Sequence, residues 1–197
     1  MNYLAHLYLS DDGTPESLVG ALLGDFVKGD DHRNYPPAIQ RAILLHRKID
    51  AFTDAHQIFR RSKRRIDPLF RHTRGILVDL FYDHFLARDW PDYHPRPLAE
   101  YTRRVYAALG IYQHLFPPRL QQAYPFMKRD DWLSSYGELE NVGRALQGLS
   151  RRLQAPNRLP EGLAELKRHY TGLEADFREF FEAVKSFVAS TDVGFPS

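Results

Sequence analysis

Apolar residues recur at three- and four-residue spacing along nearly the whole chain, and no clean alternating run appears, so the pattern predicts helices and no strand. "TPESLVGALLGDFVKG" opens with Thr14 as an N-cap and Pro15 at the first helical position, and is expected to run to Gly29. A second helix begins at the Pro36-Pro37 pair and runs through "AIQRAILLHRKIDAFTD"; a basic one follows over about residues 57 to 66. The next spans about Gly75 to Arg88 and stops before Pro91. Beyond it the pattern gives helices over about 97–114, 118–127 and 138–153, with Pro117, Pro125 and Pro156 as punctuation. A long helix from about Glu161 to Val188 closes the pattern, and residues 2 to 9 form a short one if they are helical. The expected fold is all-α: a compact helical bundle forming a single domain over 1–197, with no repeat and no linker.

Two of these helices carry polar groups where apolar ones belong. At 100° per residue, Ile39, Ala42, Ile43, His46, Ile49, Asp50 and Thr53 fall within a stripe about 120° wide, with Arg41, Lys48 and Ala51 opposite. His46 and Asp50 therefore sit among the isoleucines, Asp54 lies at the edge of the stripe, and His56 points elsewhere. A solvated charged face would put these groups on the far side. In "GILVDLFYDHFLARDW" apolar residues surround the axis on nearly every side, as in an interior helix, yet Asp79 and Asp83 lie one turn apart with His84 adjacent. Asp25 shares a stripe with Leu18, Ala21 and Leu22, while Gly20 and Gly24 would let another helix approach closely. Asn2 and His6 share a face near the start.

Buried ionised carboxylates cost several kcal/mol each, on the order of the penalty for any unpaired interior ion, and need a cation, a proton or a metal. One resolution is an ion-pair network with the many arginines. The other is a metal site, since inward-facing His and Asp from separate helices are its ingredients. Imidazole nitrogen and carboxylate oxygen without sulfur suit manganese, iron or magnesium, and zinc less exclusively. Such a metal would activate water and neutralise a phosphoryl oxygen.

Composition narrows the chemistry. The 197 residues contain 43% apolar and 26% charged residues and no cysteine, which excludes a disulfide framework, a zinc ribbon and a thiol nucleophile. Absence of cysteine fits a cytoplasmic protein. No signal-peptide pattern is read at the start, and no run approaches the ~20 apolar residues of a membrane span. Net charge is only +2, but its distribution is uneven: "RRSKRR" places Arg60, Arg61, Lys63, Arg64 and Arg65 within six residues, with Arg71 and Arg74 following. That run is either a solvated helix face or a docking surface for an acidic partner. Few aromatics are interleaved with it, which argues against nucleic acid. Arg151 and Arg152 are further candidates for holding phosphate.

"MNYLAHLYLS", "GDFVKG", "LHRKIDAFTD" and "LVDLFYDHFLARDW", in this order, resemble the bacterial acyl carrier protein phosphodiesterases, and weaker likeness continues through "DDWLSSY" and "ALQGLSRRL". That family is similar to the HD-domain phosphohydrolases, so the resemblance implies an HD-like, metal-dependent helical fold. It implies hydrolysis of the phosphodiester between 4′-phosphopantetheine and a serine of holo-acyl carrier protein, with manganese as the preferred metal and magnesium or iron as alternatives. Asp25, His46, Asp50 and Asp83 match its motif positions and are the expected ligands. His6 and His84 are then candidates to protonate the leaving serine oxygen or hold the attacking water, with Asn2, Arg47 and Asp54 in support. The chain lacks the His-Asp dipeptide of ordinary HD proteins and has the reversed Asp83-His84, so ligand roles do not transfer position by position. Two other readings stay open: a phosphohydrolase for a nucleotide or other small phosphodiester, and a non-catalytic carrier-protein or RNA-binding module with an ion-pair core.

Overall fold

The computed structural model describes residues 1–153 and 155–192, and among them every regular element is helical. In chain order the α-helices are α1 (Tyr3–Ser10), α2 (Pro15–Leu23), α3 (Pro37–Ala55), α4 (Gln57–Arg65), α5 (Arg74–Arg88), α6 (Leu98–Ile111), α7 (Pro118–Arg129), α8 (Trp132–Ser135), α9 (Leu139–Arg152), α10 (Gly162–Arg168) and α11 (Tyr170–Ser190). Short 3-10 turns join several of them. One apolar cluster draws on nearly every helix.

α1 and α5 form the middle of the assembly. α1 packs on α2, α3, α5 and α11, and α5 packs on α1, α4, α8, α9 and α11. This explains the all-round apolar surface of α5: Leu77, Val78, Leu80, Phe81, Tyr82, Phe85 and Leu86 are all buried among these neighbours. α2 and α3 lie in close contact, because Gly20 leaves room for Ala42; a Cβ on Gly20 would come within 2.4 Å of the Ala42 Cβ. The expected close approach at the glycines is thus realised, with α3 as the partner.

Several boundaries differ from expectation for visible reasons. α2 stops at Leu23, since the amides of Phe26 and Val27 both turn back onto the Leu23 carbonyl, and Gly29 takes a left-handed φ of 48°. Asp25 therefore sits in a turn beyond α2. α7 runs through Pro125 to Arg129. The long C-terminal helix breaks at His169 into α10 and α11. Thr14 caps α2 as expected, accepting from the Ser17 amide, and His56 turns outward from α3 to cap α4 through Nδ1.

The basic run on α4 is partly structural. Arg61 and Arg65 reach across to α11, where both donate to Asp176 at 2.7 Å, and Ser62 donates to the same carboxylate at 2.8 Å. Asp176 is 1% exposed. Burial alone would push its pKa up, but the donors from Arg65, Ser62 and Arg61 outweigh it and hold the carboxyl below the usual range. Arg61 and Arg65, expected among the docking groups, thus fasten α4 to α11. Asp176→Ala removes the buried acceptor shared by Ser62, Arg61 and Arg65, and is expected to cost about 1–3 kcal/mol. Urea denaturation at neutral pH checks it; an unchanged midpoint contradicts the role.

Candidate metal centre

α1 brings His6 to the site, and its position is set by a carboxylate from another helix. The amides of Leu4 and Ala5, in the first turn of α1, donate to Asp83 Oδ2 and Oδ1 at 2.8 and 3.0 Å. Asn2 stands at the N-cap but makes no side-chain capping bond. Asp83 supplies that cap from α5, meeting two of the amides a helix start leaves without partners. It is fully buried. Burial pushes its carboxyl up to about 7, against the pull of the two amide donors.

α3 brings His46 and Asp50 to meet His6. The His46 ring is pinned between α2 and its own helix, with Nδ1 2.7 Å from the Ala21 carbonyl. A carbonyl only accepts, so Nδ1 carries the proton and the neutral ring presents a bare Nε2 lone pair. Gly24 makes the slot: a Cβ there would lie 2.2 Å from His46 Cγ. The rings of His6 and His46 stack with centroids 3.6 Å apart and planes 12° apart. His6 Nε2 lies 3.0 Å from Asp50 Oδ1, and His46 Nε2 lies 3.2 Å from Asp50 Oδ2. Both rings are buried, while the Asp50 side chain is 43% exposed and opens the cluster to solvent.

The donor set fits a divalent cation. His6 and His46 each offer a nitrogen and Asp50 an oxygen, all within 4.8 Å of one another. With Nδ1 protonated, His46 Nε2 and Asp50 Oδ2 are two acceptors face to face, an arrangement that calls for a proton or a cation between them. Asp25 adds a carboxylate oxygen 3.8 Å from His46 Nε2. Asp79 adds another: its buried Oδ1 makes no well-formed hydrogen bond and lies 3.1 Å from the Met1 amino nitrogen, which is itself 3.3 Å from Asp50 Oδ1.

Electrostatics separate the members. Desolvation by burial lowers His6 to about 3, so the ring is neutral at any ordinary pH. Asp50 is driven upward by desolvation, but its close contacts with the His46 and His6 rings and the nearby Met1 amino charge prevail and hold it far below the carboxylate range. Desolvation raises Asp79.

The structure thus gathers His6, His46 and Asp50, with Asp25 and Asp79 beside them. The remaining expected site residues lie apart. Asp83, expected among the ligands, caps α1 with both oxygens. His84 is buried, with Nδ1 2.8 Å from the Tyr136 carbonyl and Nε2 2.8 Å from the Tyr170 hydroxyl, so neither nitrogen is free to carry a proton to a substrate. Arg47 donates to the Gly29 and Val27 carbonyls and holds the turn after α2. Asp54 is exposed, its carboxylate 3.9 Å from Lys63. Asp79, the Ala21 carbonyl and the Gly24 slot were not assigned from the sequence; Asp79 shared the anomaly of Asp83, and the spacing did not separate the two.

Comparison with known proteins covers most of the chain. A family model described as acyl carrier protein phosphodiesterase matches residues 1–184. Acyl carrier protein phosphodiesterases from Serratia proteamaculans and Enterobacter sp. are 34% and 33% identical to the chain, each over 92% of it and 94% of the relative. That of Yersinia enterocolitica is 31% identical over 94% of the chain and 96% of its own length. No solved structure matches.

Gly24 has ordinary helical φ and ψ, so alanine there strains only the His46 ring. Gly24→Ala is expected to weaken Mn2+ binding about tenfold or more, the usual scale when a ligand loses its orienting contacts. Calorimetric titration with the metal checks this, alongside circular dichroism to confirm retained helix; wild-type affinity contradicts it.

Proposed function

The chain belongs to the acyl carrier protein phosphodiesterase family, and we infer that it is an enzyme that hydrolyses the 4′-phosphopantetheine–serine phosphodiester of holo-acyl carrier protein. The products are apo-acyl carrier protein and free 4′-phosphopantetheine. The convergence of His6 Nε2, His46 Nε2 and the Asp50 carboxylate carries the mechanistic part of this reading. We take the three to hold a divalent cation, manganese before magnesium or iron, with Asp25 and Asp79 adding negative charge at the rim. When bound there, the cation supplies charge neutralisation at the phosphoryl oxygens and an activated water.

The chain's own groups do the positioning. Asp83 fixes the start of α1 and with it His6. Ala21 and Gly24 fix the tautomer and plane of His46. Asp50 spans both rings and remains ionised throughout the working pH range, since its contacts with the rings and the Met1 amino charge outweigh burial. The half-open side at Asp50 lets a diester enter while the imidazoles stay dry. His84, locked between Tyr136 and Tyr170, takes no part in proton transfer. Kinship with HD phosphohydrolases rests on this His/Asp donor chemistry.

The substrate is an acidic protein, and the unengaged part of the basic run suits it. Arg64 is exposed, Arg60 is exposed apart from a bond to the Asp54 carbonyl, and Lys63 lies over the Phe59 ring; Arg71 and Arg74 extend the positive surface. These groups would steer a carrier protein toward α3 and the cluster, mostly through association rate.

Incubation of manganese-loaded protein with holo-acyl carrier protein is expected to release the phosphopantetheine mass, and chelation to stop it. His46→Ala should lower kcat at least ~100-fold, the scale of losing metal-assisted charge neutralisation. Arg60→Glu with Arg64→Glu should raise KM, more at low salt, with kcat retained. No mass loss under any divalent metal refutes the reading.

A further inference from the structure

A cavity of about 500 Å³ lies between α1, α8 and α9, outside the His/Asp cluster but joined to it through the first residues of α1. Asn2 and Tyr3 form its inner end. The backbone nitrogen of Met1, one residue earlier, is 3.3 Å from Asp50 and 3.1 Å from Asp79. Adjacent Cα atoms are about 3.8 Å apart, so the inner end lies within a residue or two of the candidate centre. Tyr3 also links the two electrostatically: burial and the Asp25 charge raise its phenol to about 12, and the Arg152 guanidinium opposes them.

The outer wall is one face of α9. Arg144, Gly148 and Arg152 repeat at four-residue spacing on that face, while Val142 and Leu146 turn to the core. Trp132 and Tyr136 supply aromatic surface, and the Arg152 guanidinium lies 5.4 Å from the Trp132 ring centroid. Within the lining, the Asn2 side-chain nitrogen is buried and has no hydrogen-bond partner. A buried amide donor without an acceptor is uncommon and marks a place where a ligand carbonyl would be received. Gly148 completes the picture: a Cβ there would touch nothing within 4 Å, although glycine in a helix interior costs about 1 kcal/mol relative to alanine.

We propose that this cavity receives the pantetheine arm of the substrate, laying it between α1 and α9 so that the phosphodiester at its end reaches the His6–His46–Asp50 cluster. The inference rests on the phosphodiesterase reading for the identity of the ligand. The arm is a narrow chain with two amides, a gem-dimethyl group beside the phosphate and a terminal thiol. Aromatic walls with a few placed polar groups suit such a chain, and the volume is in the usual range for small-molecule sites. Asn2 donates to an amide carbonyl, the aromatic rings pack against the methyl and methylene groups, and Arg152 beside Tyr3 adds positive charge toward the phosphate end.

Gly148→Leu tests it, because leucine enters open space, favours the helix and touches neither the cluster nor the core. The variant should melt no lower than the wild type and raise KM for holo-acyl carrier protein at least tenfold, with kcat changed much less. In parallel, pantetheine (the arm without its phosphate) is titrated into the protein while the Trp132 indole N–H resonance is followed. Saturable shifts are expected in the wild type and not in Gly148→Leu. If Gly148→Leu does not fold, Arg152→Ala should weaken the same titration severalfold. Unchanged KM in Gly148→Leu, or no Trp132 shift in the wild type, overturns the arm site while leaving the activity standing. Saturable pantetheine binding without release of 4′-phosphopantetheine from the holo-protein refutes the activity and leaves the arm site standing.

Discussion

The buried carboxylate of Asp83 is the constraint on which the site depends. Two amide donors from the first turn of α1 end on it, 78 and 79 residues away in sequence. A helix of eight residues has little stability of its own, and its start would otherwise leave amides without partners in the interior. By meeting them, Asp83 sets the position and rotation of α1. From that one placement follow His6 against His46, and Asn2 and Tyr3 at the inner end of the cavity. The site and the cavity are thus two sides of a single short helix, held by one charge.

Polar groups in this interior are each given a specific partner. His46 spends its Nδ1 proton on the Ala21 carbonyl and keeps Nε2 for the cluster. His84 spends both nitrogens on Tyr136 and Tyr170 and is silent chemically, and Arg88 then donates to the same Tyr170 hydroxyl at 2.7 Å. Asp176 takes three donors from α4. Against that background, three of the five buried polar atoms without a hydrogen-bond partner among the described residues, Asp79 Oδ1, His6 Nδ1 and Asn2 Nδ2, belong to the residues around the start of α1 and the cluster; Ser10 Oγ and Tyr101 Oη are the other two. An interior that satisfies its other buried charges and leaves these open is arranged around something that binds.

The helices and the core of the site were legible because periodicity reports which face a residue occupies. On α3 the isoleucines mark one side, so His46 and Asp50 among them had to point inward, and they do. On α5 the same logic has no purchase. A helix apolar all round has no face to distinguish, so Asp79 beside the cluster and Asp83 on the α1 amides carry the same signal in sequence. The α4 run shows a related limit: charge density says nothing of Asp176, more than a hundred residues later, which engages Arg61 and Arg65. The stripe puts Asp25 on a helix, whereas the chain turns just beyond Gly24, with the Phe26 and Val27 amides folded back onto the Leu23 carbonyl. The α9 face escaped notice because small and polar residues at helical spacing look like solvated surface until Trp132, Tyr136 and Tyr3 close over them.

Anomalous diffraction from crystals grown with Mn2+, collected on the manganese absorption edge, tests the central claim most directly. The account predicts a peak bounded by His6 Nε2, His46 Nε2 and the Asp50 carboxylate, with Asp83 still bonded to the α1 amides. A crystal with no peak there, or a peak ligated by Asp83 with α1 released from it, would contradict the account.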